Sequence, residues 1–318
     1  MAKIYDLSVT LRPDHLENSE LELERISHEE AARIFARRHQ IKVSDLPGGS
    51  FLATERIELR SHLGTHIDAP YHFYPTSEGR PAKFIDEFPL DWCMGDAVVL
   101  DFRHKKPSEH ITEFDVAAAL EKINYQPKAG DIVMLWTGGT DGYDNDPKFA
   151  ESAAGLNGGA LNYLFRFGVR VMSTDSATID MPIALMTERF VKGDKAAYFP
   201  IHRAGRYTEW THAEKLTSMG RLPGPLGFKV MFFPVKIARG TGAWIRAVAI
   251  EDDWLSANKL QLVDLSCINR SPATQASAAA RLVPNPRRRR SCRERCGPHR
   301  GRCSCLFRAR SFAGDLAH

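Results

Sequence analysis

Short apolar runs, separated by turns marked with Gly and Pro, set the rhythm of the first 250 or so residues. Residues 3–9 (KIYDLSV) read as a strand. SHEEAARIFARRH (27–39) predicts a helix: Ser27 is a suitable N-cap, Glu30 completes a capping box, and Arg37, Arg38 and His39 suit the negative end of the helix dipole. LPGG (46–49) marks a turn, and residues 51–73 read as mostly extended. Strands are expected at 97–102 (AVVLDF), 130–138 (GDIVMLWTG), 169–175 (VRVMSTD), 227–237 and 242–251. Helices are expected at 113–123 and at 158–168, the latter ended by Gly168. Strands and helices alternate, yet several strands adjoin with no helix between them. That pattern predicts an α/β domain built on a mixed β-sheet, not a doubly wound one.

The periodicity stops after Leu265, which divides the chain into a body, 1–265, and a tail, 266–318. Composition sharpens this boundary. From Arg270 to His318 there are 12 Arg against Glu294 and Asp315, a net +10, so the overall +4 leaves the first 269 residues at −6. A reading of the protein as basic, hence nucleic-acid binding, would describe the tail alone. Rich in Arg, Pro, Ser and Ala, the tail buries too little apolar area to offset its chain entropy and is expected to be disordered. Two other readings of the tail are a zinc knuckle from Cys292, Cys296, His299 and Cys303, and a sequence-independent nucleic-acid arm. The first 269 residues hold only Cys93 and Cys267, which is no disulfide framework and suits a reducing, cytoplasmic setting. No apolar run approaches the ~18 residues of a membrane-spanning helix, and the N-terminus lacks a secretory pattern.

The chemistry concentrates in His62-Leu-Gly-Thr-His66-Ile-Asp68-Ala-Pro-Tyr-His72. His62, His66, Asp68 and His72 all fall on even positions, so an extended chain would point them to one face. A straight strand would hold His62 and Asp68 roughly 20 Å apart, at ~3.3 Å per residue, too far for one ion. The chain must therefore bend, most easily at Gly64 and Pro70. Imidazoles with a carboxylate form a donor set for Zn²⁺ or Mn²⁺, and two His with one Asp leave room for water. An ion held there lowers the pKa of water towards ~7 and polarises a carbonyl. His72, four residues past Asp68, is placed to move a proton between water and a departing nitrogen. No G-x-S-x-G elbow is present, which argues against a serine hydrolase.

The ungapped pattern H-x-G-T-H-x-D-x-P-x-H resembles the signature of the cyclase family of metal-dependent hydrolases, whose members include kynurenine formamidases, isatin hydrolases and cyclic-imide hydrolases. IYDLS, FIDEFPLD, GDIVMLWTG, TDSATID and GFKVMFFPVKIARGTGAWIRAVAIE follow in the family's order, so the resemblance spans roughly residues 3–254. It implies a single domain with a barrel-like, swivelling β/β/α core and flanking helices. It implies His62, His66 and Asp68 as metal ligands and His72 as the acid/base. A second ion would be held by a later His and a Glu twelve residues on, a spacing met by His202 and Glu214, with His212 and Glu209 as rivals. One ion is expected and a second remains open. It also implies a homo-oligomer.

Asp175 and Asp180, in TDSATID, read first as structural caps. Phe51, Phe73 and Trp92 are candidates for an aromatic wall around a flat substrate ring, with Trp136 and Trp210 as further possibilities. The expected function is hydrolysis of a cyclic amide: an imide, a hydantoin-like ring or isatin. The long segment before the motif resembles members acting on rings. The His202/Glu214 pair favours the alternative, an aryl formamidase acting on N-formylkynurenine. A reading from another class is a non-catalytic metal- or nucleic-acid-binding protein working through the tail; the His/Asp segment argues against it. The expected partner is a small-molecule substrate, with no membrane and no specific nucleic acid.

Overall fold

The structure, a computed structural model, describes residues 2–15, 21–146 and 148–251. The tail, with its proposed knuckle and its charge run, lies outside the described residues. In chain order the elements are β1 (Lys3–Asp6), β2 (Glu22–Ile26), α1 (His28–His39), β3 (Thr54–Glu58), β4 (His66–Asp68), α2 (Pro70–Phe73), β5 (Thr76–Ser77) and β6 (Arg80–Pro81). Next come β7 (Met94–Asp101), β8 (His110–Ile111), α3 (Glu113–Lys122), β9 (Ile132–Trp136), β10 (Gly155–Leu156), α4 (Gly158–Phe165) and β11 (Val171–Thr174). The last are α5 (Ile183–Val191), α6 (Pro200–Ala204), β12 (Thr211–Glu214), β13 (Lys229–Met231), β14 (Gly242–Trp244) and β15 (Val248–Glu251).

Among the described residues one mixed, nine-stranded sheet runs in the order β1-β15-β13-β7-β9-β11-β12-β4-β14. Strands β7, β9, β11 and β12 are parallel, joined by crossovers that carry α3 to α6. The flanking pairs are antiparallel. β14 ends the sheet on one side, while β15 lies one strand from the other side, and only Ile245–Ala247 separate them in sequence. A single continuous segment thus serves both ends, so the sheet curls into a half-barrel. The seam is stitched by backbone bonds from Leu7 N–H to the Ala247 carbonyl and from Thr217 N–H to the Leu7 carbonyl.

Period-two alternation sorts each central strand between two cores. Ile132 and Met134 of β9, Ala97 and Val99 of β7 and Val171 of β11 enter the cluster inside the curl. Val133, Leu135, Val98, Leu100 and Met172 join the cluster beneath α3 and α4. The continuous apolar runs read from the sequence are strands buried on both faces.

Several boundaries differ from the sequence reading, each for a local reason. Residues 51–73 are not mostly extended: β3 is followed by a turn through residues 60–65, then β4, then the short helix α2. The bends fall where expected. Gly64 adopts φ 64°, and Pro70 opens α2. Segment 242–251 is two strands, because it must leave one side of the sheet and enter the other. The expected strand over 227–237 shortens to Lys229–Met231. Ser27 caps α1 by accepting from Glu30 N–H, but the Glu30 carboxylate pairs with Arg33 and does not close the box. The box forms instead at α3, between Thr112 and Asp115. β3 falls in the segment read as extended, whereas β2, α2, α5, α6 and β12 are among the elements additional to the expected set.

Gly64 lets the chain reverse between His62 and His66. An added Cβ would lie 2.4 Å from Leu11 Cδ2, on a backbone that L-residues disfavour. Gly64→Ala is expected to cost about 1–2 kcal/mol, a fall in Tm of about 2–8 °C. Calorimetry checks this, and an unchanged Tm contradicts the assigned turn.

Candidate metal centre

β4 lies between β12 and β14, with Ile67 opposite both Ala213 and Ala243. Those three small or apolar residues face the interior of the curl. Parity then turns His66 and Asp68 of β4, and His212 and Glu214 of β12, to the opposite face. Register places Glu214 beside His66 and brings His212 Nε2 to 3.4 Å from Asp68 Oδ2. α6 adds His202, whose Nε2 stands 3.6 Å from Asp68 Oδ2. The turn before β4 brings His62 Nδ1 to 2.7 Å from Asp68 Oδ1, and α2 brings His72 Nε2 to 3.8 Å from Asp68 Oδ2. His66 Nε2 completes the ring, 3.4 Å from Asp68 Oδ1 and 3.6 Å from Glu214 Oε2.

All the His, Asp and Glu candidates of the sequence motif and of the His202/Glu214 spacing therefore meet around one carboxylate. Of the rivals, His212 joins them, with Nε2 2.9 Å from Glu214 Oε1. Glu209 does not: both its oxygens are taken by Lys83. His66, Asp68, His202, His212 and Glu214 are buried, whereas the side chains of His62 and His72 remain 27% and 35% exposed and form the mouth. Their rings lie 4.1 Å apart. Gly242 makes room for this mouth, since a Cβ there would meet His62 Cε1 at 2.7 Å.

The proton inventory shows what the cluster lacks. His66 Nδ1 sits 2.9 Å from the Gly64 carbonyl, which can only accept, so Nδ1 carries the proton and Nε2 offers a lone pair to the carboxylates. His202 Nδ1 donates to Asp180, which turns the lone pair of neutral His202 the same way. Both Asp68 oxygens are buried with no aligned hydrogen-bond donor. Neutral imidazole lone pairs and carboxylates facing one another in a dry site repel, so the site must hold either protons on its imidazoles or a cation. A divalent cation meets that requirement. Two overlapping donor sets share Asp68: Asp68, His202, His212 and Glu214, and Asp68, His62 and His72; within each, the ligand atoms lie within 4.8 Å of one another. The residues present fit a divalent ion.

Without an ion the cluster holds protons: although burial opposes it, Asp180, Asp68 and Glu214 raise the His202 imidazole to about 10. Burial disfavours the Asp68 anion, yet His72, His202, His62 and His66 together hold its carboxyl well below the usual range. Burial also acts on Glu214, but His212 outweighs it and brings the carboxyl down to about 2. His72 is pushed down to about 4, chiefly by burial and by the neighbouring imidazoles His62 and His202, against the pull of Asp68. At neutral pH it is an uncharged base.

The aromatic candidates divide. Phe73 is buried and stacks on His212 at 5.2 Å and on Trp210 at 5.0 Å, so it props the imidazoles from behind. Trp210 is fully buried in the same stack. Phe51 stacks on Phe35 of α1, and Trp92 packs against Phe88 and the core inside the curl. Trp136 lies under the Arg103 guanidinium. Among the ring contacts of the described residues, none of these last three reaches the imidazoles. Asp175 accepts from Thr137 and Gly138 and pins the loop after β9.

Residues 5–181, more than half of the chain, match the cyclase family. Among characterised proteins, the chain is 27% identical over 195 residues to a kynurenine formamidase of Salinibacter ruber, covering 60% of this chain and 77% of that protein. It is 26% identical over 226 residues to an isatin hydrolase of Roseibium aggregatum, covering 67% and 80%. The fold is that of isatin hydrolase A from Labrenzia aggregata, with a TM-score of 0.59 at 21% identity over 79% of this chain and 94% of that one. The Ralstonia solanacearum isatin hydrolase A gives 0.59 at 20% identity, over 79% and 92%.

Relief of the repulsion around Asp68 should be measurable. Zn²⁺ or Mn²⁺ at about a thousandfold excess over its Kd is expected to add about 4 kcal/mol of stability, seen as a rise in Tm that EDTA reverses. Asp68→Ala should abolish that rise and the bound metal, measured by elemental analysis. Full metal stoichiometry in the variant contradicts the site.

Proposed function

The chain belongs to the cyclase family, and from that footing we propose that it is a metal-dependent amidohydrolase that opens a cyclic amide of the imide, hydantoin or isatin type. The observation that carries this reading is the buried Asp68 carboxylate, without an aligned donor and ringed by imidazoles, of which His62 and His72 are partly exposed. His62, His66 and Asp68 would hold a divalent ion, with His202, His212 and Glu214 able to hold a second. Zn²⁺ and Mn²⁺ both suit this mixture of imidazole and carboxylate. When bound, the ion supplies Lewis acidity, activating water and polarising a carbonyl.

The protein's own residues supply the rest. His72 is uncharged at neutral pH, partly exposed, and in the role assigned here accepts a proton from the attacking water and does not ligate, although it also stands within reach of an ion shared by Asp68 and His62. The water oxygen bonds to the carbonyl carbon, the ring C–N bond breaks, and His72 returns the proton to the departing nitrogen. Water is consumed, and the ring opens to a carboxylate with no covalent enzyme intermediate. Phe73 and Trp210 hold the imidazoles from behind and exclude water from that side.

A second reading has its own observation. Both His202 and Glu214 reach the centre, which supports the two-ion arrangement expected of an aryl formamidase acting on N-formylkynurenine. Self-association forms part of the proposal: β3 is exposed along its whole length, and Leu52 and Ile57 are 74% and 56% exposed on the same projecting ribbon and turn. A second copy of the chain is the proposed partner for this arm, tested by size-exclusion chromatography with light scattering. A cytoplasmic setting fits the free, buried Cys93.

Assays of the metal-loaded protein with a cyclic imide, isatin and N-formylkynurenine test the choice of substrate. Turnover of a ring and not of the formamide is expected; the reverse order moves the protein to the second reading. His72→Ala is expected to keep its metal and lose about 10²–10⁴-fold in kcat. Loss of metal in parallel with activity would make His72 a ligand and leave the proton transfer unassigned.

A further inference from the structure

The Asp180 carboxylate is buried, 22 positions before His202, and accepts every hydrogen bond available to it at the start of α6. Ile201 N–H donates to Oδ1 at 2.8 Å, and His202 N–H donates to Oδ2 at 3.1 Å. The His202 ring donates to the same Oδ2 from Nδ1 at 2.6 Å. The local backbone prepares this. Phe199 takes the left-handed conformation at φ 48°, and Pro200 has no N–H, so the first free donors of α6 belong to Ile201 and His202. Asp180 itself is clamped from behind, because Gly155 leaves no room there: a Cβ would lie 2.2 Å from the Asp180 carbonyl carbon.

One carboxylate therefore fixes both where α6 begins and which nitrogen of His202 is protonated. With Nδ1–H committed to Asp180, Nε2 is the nitrogen left to give up its proton and ligate; it points at Asp68 Oδ2, 3.6 Å away, and at Glu214 Oε1, 3.9 Å away. His212, the other imidazole on that side, differs: its Nδ1 is buried with no partner. The same segment also supplies the Ile179 N–H that holds Glu214 Oε1.

We propose that Asp180 is a positioning residue of the centre, more than a helix cap: it sets the Nδ1–H tautomer of His202 and aims the Nε2 lone pair at the Asp68–Glu214 side. This rests on the reading of the cluster as a metal centre. A carboxylate behind a ligating imidazole fixes its orientation and raises its basicity, and loss of such a partner typically weakens metal binding 10–100-fold.

The test uses the full chain, wild type, Asp180→Asn and Asp180→Ser. Zn²⁺ is titrated against a chromophoric chelator, and the imidazole protons of the metal-free protein are followed by ¹⁵N-edited NMR. The wild type is expected to show a strongly downfield His202 Nδ1–H resonance. Both variants are expected to lose it and to bind Zn²⁺ roughly 10–100-fold more weakly. Asp180→Ser keeps an acceptor suited to capping, so wild-type Zn²⁺ affinity in that variant overturns the proposal and leaves a cap alone. Absence of the downfield proton in the wild type also overturns it, whether or not the variants fold. A wild-type protein that shows the resonance but takes up no Zn²⁺ overturns the metal-centre reading and the purpose assigned here, while the Asp180–His202 pair stands.

Discussion

A carboxylate buried without an aligned donor is the constraint around which this molecule is arranged. Asp68 stands on a strand between two others, with no access to water and lone pairs facing it. Without a cation that charge is offset by the surrounding imidazoles; a divalent ion would replace their protons with ligand bonds. The rest of the domain keeps this group in place. The curled sheet fixes β4 between β12 and β14, and the two-residue period of those strands gives Ile67, Ala213 and Ala243 to the core while turning the polar residues outward. Gly64 reverses the chain and Pro70 begins α2, so His62 and His72 return to a point that a straight strand would have carried them away from.

The supporting residues divide into those that hold position and those that face the opening. Phe73 and Trp210 stack against the imidazoles, Gly242 leaves space for His62, and the 175–180 segment ties the loop after β9, Glu214 and His202 to one another. Stability and chemistry thus pull on the same residues. His62 and His72 are the partly exposed members of the cluster, and the proposed proton transfer is assigned to His72.

Much of this was legible in the sequence, and the reasons for the rest are local. The ligand motif could be read because its residues are close together and share parity, and because only Gly and Pro could supply the required bends. The central strands could be read from runs apolar on both faces. β12 escaped because four residues, THAE, carry no apolar period; its strand character comes from pairing with β4 and β11, not from its own sequence. His202 was a candidate only through the family resemblance, which its spacing to Glu214 meets, while His212 stood as a rival, since its place beside Asp68 depends on strand register. Phe51 and Trp92 pack against Phe35 and Phe88, since an aromatic near a motif in sequence need not be near it in space. Phe73, named as a substrate contact, stacks on His212 and Trp210 behind the candidate ligands. Asp180 looked like a cap and is one; its hold on His202 spans a turn and two helices that left no sequence signal.

Anomalous diffraction from crystals grown with Zn²⁺ or Mn²⁺, recorded on both sides of the metal edge, tests the proposed centre most directly. A peak is expected beside Asp68, at about 2.0–2.2 Å from its carboxylate and from imidazole nitrogens of the surrounding histidines. A second peak between His202, His212 and Glu214 would define a two-ion centre. A well-ordered Asp68 with no anomalous density near it, or with metal bound only elsewhere on the chain, would contradict the central claim.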